Sequence, residues 1–232
     1  MTTPRIVTSL QTGLAYYPRA KVCTETWLNN DLSPYYIHSS TPCDYLPITI
    51  VPGAGEGYPS ATPKRLGGLK QMISDHPDAE WFYQASCDNY VFTKRLMALL
   101  DELGTTSEPM YVGGDVCGHL SVGSQRLTYA SGGATYLLNN AAAHLLAPEL
   151  DTLMSQLPEH PFEDALVGWK LQALGVKPTL YSDKFYGCNP FRGHCGNHGA
   201  APRKGIVNPI SFHYLSADEI QRVHTGGSEW QQ

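Results

Sequence analysis

The chain has 232 residues, of which 42% are hydrophobic and 16% are charged, a balance that excludes an intrinsically disordered protein. Its formal net charge is −5 and it has no run of basic residues, so we expect no nucleic-acid partner. No apolar run is long enough to cross a bilayer, and the first residues lack the pattern of a signal peptide. The sequence therefore predicts a soluble, cytoplasmic protein without a transmembrane segment.

Strands and helices alternate along the first half of the chain. Short β-branched or aromatic runs predict strands at residues 5–10, 35–38, 48–51, 81–85 and 110–113. Apolar residues at helical spacing predict helices at residues 19–28, 63–74 and 93–103. This alternation predicts an open, twisted α/β sheet flanked by helices.

The second half of the chain is less regular. Helices are predicted at residues 140–146 and 162–174, and residues 189–209 are rich in Gly, Pro, His and Asn, which predicts a long loop. A shorter flexible loop is predicted at residues 53–57, after the third strand. No break in composition separates two domains, so we expect residues 1–232 to form a single domain.

Ligands of an open α/β sheet usually bind beyond the carboxyl ends of its strands. The segments that follow Thr8, Ile37, Val51 and Ala85 are therefore the first places to expect chemistry. The most informative of them is the last, because the apolar strand runs into a polar turn that contains Asp88. A carboxylate there can hold a divalent cation, which in turn binds a diphosphate. The alternative is that Asp88 only caps the next helix.

Three further motifs in the second half allow both a functional and a structural interpretation. The pair Gly132-Gly133 lets backbone approach a sugar closely, or simply forms a tight turn. The adjacent acids Glu163 and Asp164 begin a predicted helix. They allow two interpretations, a catalytic base or favourable negative charge at a helix N-terminus. His213 is a candidate metal ligand or a histidine packed in a short strand.

Six cysteines are spread along the chain, and only two of them are close in sequence. Cys188 and Cys195, with His194 and His198 between and after them, allow a zinc site, although the spacing is not that of a usual zinc finger. Free thiols or a disulfide within the loop are the alternatives.

The order of these motifs resembles that of the Fringe and core 1 β1,3-galactosyltransferase family, from about residue 6 to residue 215. Asn89-Tyr90-Val91 matches the end of the family's Asp-Asp-Asp-Asn-Tyr-Val segment, and Asp88 falls on the third aspartate, which binds Mn²⁺ in the family. Ser86 and Cys87 stand in place of the first two aspartates. The resemblance implies the Rossmann-like GT-A fold.

Other segments extend the resemblance along most of the chain. Arg19 and the following Glu25-Thr-Trp27 are similar to the first helix of Fringe, and Lys64 is placed like a lysine of the core 1 enzymes. Residues 129–134 resemble the family's Gly-Gly-Ala segment, and residues 210–215 resemble its Ser-Phe-His-Tyr segment.

Together, the strand-end rule and the resemblance imply a set of site residues. Those expected to bind the donor are Thr8, Arg19, Lys64, Ser86, Cys87, Asp88, Gly132 and Gly133. Those expected to hold the metal are Asp88 and His213. Those expected to be catalytic are Asp164, as the general base, and its neighbour Glu163.

The activity that the resemblance implies is an inverting transfer from a UDP-sugar to a hydroxyl of a glycan or glycoprotein, through a β1,3-type linkage. Mn²⁺ or another divalent cation is the expected cofactor. Residues 1–115 are expected to bind the nucleotide-sugar and residues 116–220 the acceptor, with a tail at 221–232. The alternative is a non-catalytic carbohydrate- or nucleotide-binding protein on a GT-A scaffold. Ser86 and Cys87 favour this alternative because they stand in place of two aspartates of the family's motif. A metal-dependent hydrolase is a third possibility.

Overall fold

Eleven strands and seven α-helices make up the fold within the residues that the structure, a computed structural model, describes: 3–28, 30–114, 121–122, 125–155, 162–192 and 207–226. The strands are β1 (Ile6–Gln11), β2 (Tyr35–Ser39), β3 (Ile48–Ile50), β4 (Trp81–Ser86), β5 (Tyr90–Val91), β6 (Tyr111–Gly113), β7 (Ser121–Val122), β8 (Gln125–Arg126), β9 (Tyr136–Asn139), β10 (Pro178–Leu180) and β11 (Ser211–Phe212). The helices are α1 (Tyr17–Glu25), α2 (Ala61–Asp75), α3 (Thr93–Leu103), α4 (Asn140–Leu146), α5 (Leu150–Ser155), α6 (Glu163–Ala173) and α7 (Ala217–Thr225).

Seven of the described strands form one sheet in the order β10-β6-β9-β4-β1-β2-β3. Neighbouring strands are parallel except β9, which is antiparallel to both β4 and β6. In the register of β1 and β4, Leu10 lies opposite Ala85 and Gln11 lies opposite Ser86. The segments that follow these two strands therefore leave the same edge of the sheet side by side.

The core has two apolar layers, one on each face of the sheet, because successive residues of a strand point to opposite faces. In β4, Phe82 belongs to the layer that contains Leu66 of α2, whereas Tyr83 belongs to the layer that contains Ala20 of α1 and Leu96 of α3. The sheet and its two layers form a single α/β domain. Among the described helices, none has both the length and the apolar character needed to cross a bilayer.

The predicted α/β sheet is confirmed, and the structure differs from the sequence prediction in several elements. The sequence patterns do not predict β9, which lies in the middle of the sheet, because its Tyr-Leu-Leu-Asn run leads directly into α4 without a turn. The helix predicted to reach residue 28 ends at Glu25. Helix α7 spans residues 217–225, so the expected tail at 221–232 begins inside a helix.

The structure also bears on the zinc site that was one alternative for the cysteines near residue 190. Cys188 is disulfide-bonded, so it has no thiolate to offer to a zinc ion. His194, Cys195 and His198 lie outside the described residues, as does most of the loop predicted at 189–209.

Candidate active site

A cavity of about 570 Å³ opens where the carboxyl ends of β1 and β4 meet. Its walls come from the segment after β1, the starts of α2 and α6, the turn after β4, and the glycine pair that precedes β9. This is the edge at which an open α/β sheet usually binds its ligand. Ten of the expected site residues line the cavity: Arg19, Lys64, Ser86, Cys87, Asp88, Gly132, Gly133, Glu163, Asp164 and His213.

Thr8 does not lie with the other expected donor residues. It is fully buried in the middle of β1, and the cavity lining begins three residues later, at Gln11 and Thr12. The reason is the length of β1, which continues to Gln11, so that the end of the strand lies beyond Thr8.

Asn89 fixes the turn that contains Asp88. Its side-chain oxygen accepts a hydrogen bond from the backbone N–H of Ser86 at 2.7 Å. Its side-chain nitrogen donates to the carbonyl oxygens of Gly133 at 2.7 Å and Phe212 at 3.0 Å. One buried amide thus joins the turn after β4, the glycine pair and the end of β11.

Asp88 and His213 face each other across the cavity. The short antiparallel pair β5–β11 places Phe212 opposite Tyr90, and the chain then delivers His213 to the turn. Nε2 of His213 lies 3.4 Å from Oδ2 of Asp88. A Cβ at Gly133 would collide with the His213 ring, so only glycine leaves room for this histidine.

The electrostatic environment keeps Asp88 ionised. Burial raises its pKa, but the charge and hydrogen bond of His213 and the charge of Arg19 act in the opposite direction, and the net pKa lies well below the usual range. A carboxylate oxygen and an imidazole nitrogen at this separation suit a divalent cation such as Mn²⁺ as two ligands of a larger set. No group of three or more metal-ligating side chains occurs among the described residues.

The two acids at the start of α6 have different surroundings. Asp164 is partly exposed to the cavity, and its carboxylate accepts hydrogen bonds from the backbone N–H of Gly132 at 2.8 Å and of Ala165 at 2.9 Å. Burial raises the pKa of Asp164. Glu163 is 5% exposed, and burial raises its pKa to about 7 although Arg65 lies beside it. The Tyr136 hydroxyl donates to Glu163.

Three cationic side chains line the cavity. Only two of them, Arg19 and Lys64, are among the site residues expected from the sequence. The missing one is Arg65, which is 6% exposed and donates to the Ser86 hydroxyl at 2.9 Å and to the Gly132 carbonyl at 3.1 Å. A signal for it exists in the sequence, since Lys64 and Arg65 form a basic pair near the start of α2. Positive charge is unfavourable at that end of a helix unless an anion is nearby.

The loop after β3 also contributes to the site. Glu56 and Tyr58 line the cavity, and the Glu56 carboxylate accepts from the backbone N–H of Leu14 at 3.0 Å and from Lys64 at 3.4 Å. From the sequence, residues 53–57 are predicted to form a flexible loop without a functional residue. Nothing in the local sequence pattern indicates that this loop folds back onto the end of β1.

Comparison with known proteins identifies the family of the chain. The family model described as Fringe-like matches residues 1–192, which is most of the chain. The chain belongs to the Fringe-like family. It is a glycosyltransferase. No curated protein sequence matches it.

One solved structure aligns with nearly the whole chain. A glycosyltransferase involved in the glycosylation of the major capsid of PBCV-1 aligns with a TM-score of 0.60 and 14% sequence identity, covering 95% of this chain and 98% of that chain. At this identity the likeness establishes the GT-A-like fold. Mannose-1-phosphate geranyltransferase from Thermus thermophilus aligns with a TM-score of 0.32 and 10% identity, covering 77% of this chain and 69% of that chain. This TM-score is too low to indicate a shared fold.

Proposed function

We propose that this glycosyltransferase moves a sugar from a UDP-sugar to a hydroxyl of a glycan or glycoprotein, through a β1,3-type linkage and with inversion at the anomeric carbon. The observation that carries the proposal is the composition of one cavity. It combines cationic side chains suited to a diphosphate, a pair of side chains suited to a divalent cation, and a carboxylate that is oriented by backbone N–H groups.

Asp164 is the general base of the proposed reaction. Its two backbone hydrogen bonds fix the orientation of the carboxylate, and its partial exposure leaves it open to the cavity. Glu163 is less suitable, because it is buried and already bound by Tyr136 and Arg65. The Asp164 carboxylate accepts the acceptor's hydroxyl proton as that oxygen forms a bond to the anomeric carbon. The bond from that carbon to the diphosphate breaks at the opposite face, and the leaving oxygen keeps the electron pair.

Asp88 and a neutral His213 would hold the divalent cation, because a carboxylate oxygen and a ring nitrogen lie 3.4 Å apart there. When bound, such a cation offsets the negative charge that develops on the leaving diphosphate. The backbone at Gly132 and Gly133 borders the same space, where the absence of side chains leaves room for a sugar. Residues 1–115 are the proposed nucleotide-sugar half and residues 116–220 the proposed acceptor and catalytic half.

The test is Asp164→Asn, assayed as UDP release from a panel of UDP-sugars and glycan acceptors. We expect activity to fall by about 10²- to 10⁴-fold, the usual contribution of a general base. Asp151→Asn is the matched control, because Asp151 is a surface carboxylate with 70% side-chain exposure, and it should leave activity unchanged.

Each outcome of this assay has a clear meaning. Full activity in Asp164→Asn would contradict the assignment of the base. UDP release that does not depend on an acceptor would indicate a hydrolase, and nucleotide binding without turnover would favour the non-catalytic carbohydrate- or nucleotide-binding alternative. The anomeric configuration of the product, determined by NMR, tests inversion directly.

A further inference from the structure

The cations of the cavity have few close contacts with carboxylates, and this bears on how the donor is held. Arg19 donates to the Cys87 sulfur at 3.3 Å, and its guanidinium carbon lies 4.5 Å from the centre of the Tyr16 ring. Its Nε is buried and has no hydrogen-bond partner. Asp88 acts on Arg19 through its charge, whereas these direct contacts of Arg19 are with a thiol and an aromatic ring.

Arg65 is in a similar position on the other side of the turn after β4. Its hydrogen bonds to the Ser86 hydroxyl and the Gly132 carbonyl are with uncharged groups. Its one ion pair, with Glu163, has an N–O distance of 3.5 Å, at the limit for a hydrogen bond. These contacts occupy three of the five N–H donors of a guanidinium.

Lys64 completes the group next to the end of β1. Its side chain is 2% exposed, and its ammonium group lies 3.4 Å from Glu56, a long contact for an ion pair. Glu56 is shared with other donors, since it also accepts from the N–H of Leu14 and the hydroxyl of Thr41. Lys64 therefore shares its carboxylate partner with the backbone N–H of Leu14 and the hydroxyl of Thr41.

Such an arrangement is unfavourable for the protein alone. Burying a cation requires a compensating negative group, and Lys64 also lies in the first turn of α2, where the helix dipole disfavours positive charge. That turn contains no acidic residue. A bound anion would satisfy both requirements, and Arg19 and Arg65 contact Cys87 and Ser86, two neighbouring uncharged residues of the cavity lining.

We propose that Arg19, Lys64 and Arg65 hold the diphosphate of the donor directly, so that nucleotide binding does not require a divalent cation. The inference rests on the proposed function, because it takes the ligand of this cavity to be a nucleoside diphosphate sugar. It goes beyond that function by separating donor binding from the cation site at Asp88 and His213. Guanidinium groups suit this role, since they bind phosphate oxygens through paired N–H donors.

The first experiment is calorimetric titration of the protein with UDP and with inorganic pyrophosphate, in EDTA and in Mn²⁺. We expect the Kd of UDP in EDTA to be within about threefold of that in Mn²⁺. Binding that is seen only with Mn²⁺ would overturn the inference and leave the proposed function standing. No binding of either compound under either condition would overturn both.

Variants identify the residues responsible. Arg19→Gln and Lys64→Met remove one charge each and should weaken UDP binding in EDTA by about tenfold or more. Lys70→Met is the matched control, because Lys70 lies on the same helix, is 51% exposed and pairs with Asp151 on the surface. It should leave the Kd unchanged. Equal affinity in Arg19→Gln and the wild type would overturn the inference.

A converse variant adds negative charge instead of removing positive charge. In the double variant Ser86→Asp with Cys87→Asp, carboxylates would stand beside Arg65 and Arg19 and compete with phosphate for them. We expect UDP binding in EDTA to weaken by about tenfold or more, and Mn²⁺ to restore part of it. Circular dichroism confirms that the variant folds, and unchanged binding in EDTA by a folded variant would contradict the role of the arginines.

Discussion

Burial distinguishes two adjacent carboxylates that look equivalent in sequence. Glu163 points into the protein, between Tyr136 of β9 and Arg65 of α2, while Asp164 remains at the cavity wall. Neighbouring acids with separate environments can have separate roles, and here the environments favour Asp164 for proton transfer. Glu163 then acts as a positioning residue, since Arg65, which it pairs with, also contacts Ser86 and Gly132.

The raised pKa of Glu163 predicts a pH dependence of stability. Because its pKa rises from 4.5 in the unfolded chain to about 7 in the folded protein, the folded state favours the protonated form. The free energy of unfolding should therefore fall as pH rises through this window. Glu163→Gln removes this titration, so its stability relative to the wild type should increase between about pH 5 and about pH 8, by about 1–3 kcal/mol.

Urea denaturation at several pH values measures this difference. Asp164 lies nearby, its pKa is also raised, and its charge raises the pKa of Glu163, so the measured difference reports the titration of the coupled pair. Glu25→Gln, at a helix position with 54% side-chain exposure, provides the matched control and should give a profile parallel to that of the wild type. A parallel profile for Glu163→Gln as well would show that the folded protein does not perturb this carboxyl.

At the scale of elements, the site depends on contacts between segments that are far apart in the chain. The β5–β11 pair brings His213 to the turn after β4, and the amide of Asn89 ties that turn to the glycine pair. The Trp27 indole N–H donates to the carbonyl of Asn89 at 2.9 Å, which adds the end of α1 to the same junction. Asn89, which is not part of the cavity lining, therefore holds the backbone of the site in place.

Asn89→Asp should be strongly destabilising. The new side chain keeps an acceptor for the N–H of Ser86 but has no N–H for the carbonyls of Gly133 and Phe212, and it introduces a buried charge. We expect a loss of about 2–4 kcal/mol in urea denaturation. Asn140→Asp is a matched control, because Asn140 also donates to two carbonyls but is partly exposed. Equal losses in the two variants would contradict the central role of Asn89.

Local patterns predicted most elements of the first half of the sheet, where each strand is followed by a helix or a loop. They failed for β9, whose place in the sheet depends on its neighbours β4 and β6 and not on its own sequence. The helix α7 could have been predicted, since Ser216 and Glu219 form a capping box, with each side chain bonded to the other's backbone.

At the scale of the whole molecule, motif order and folding identify different members of the cavity lining. Asp88, Asp164 and His213 stand in recognisable motifs, and the structure brings them to one cavity. Arg65 has only the basic pair with Lys64 as a local signal and Glu56 has none, because their places in the cavity depend on long-range packing of α2 and of the loop after β3.

The cavity is lined by residues from Gln11 to Tyr214, so a bound ligand should stabilise the entire domain. If UDP binds only the folded protein, a concentration of about 100 Kd adds about 2.7 kcal/mol and raises Tm by roughly 5–10 °C. Scanning calorimetry measures the shift. Uridine at the same concentration lacks the diphosphate that Arg19 and Lys64 are proposed to bind, and it should raise Tm far less. Equal shifts with UDP and uridine would mean that the protein recognises the nucleoside and that the cations serve another purpose.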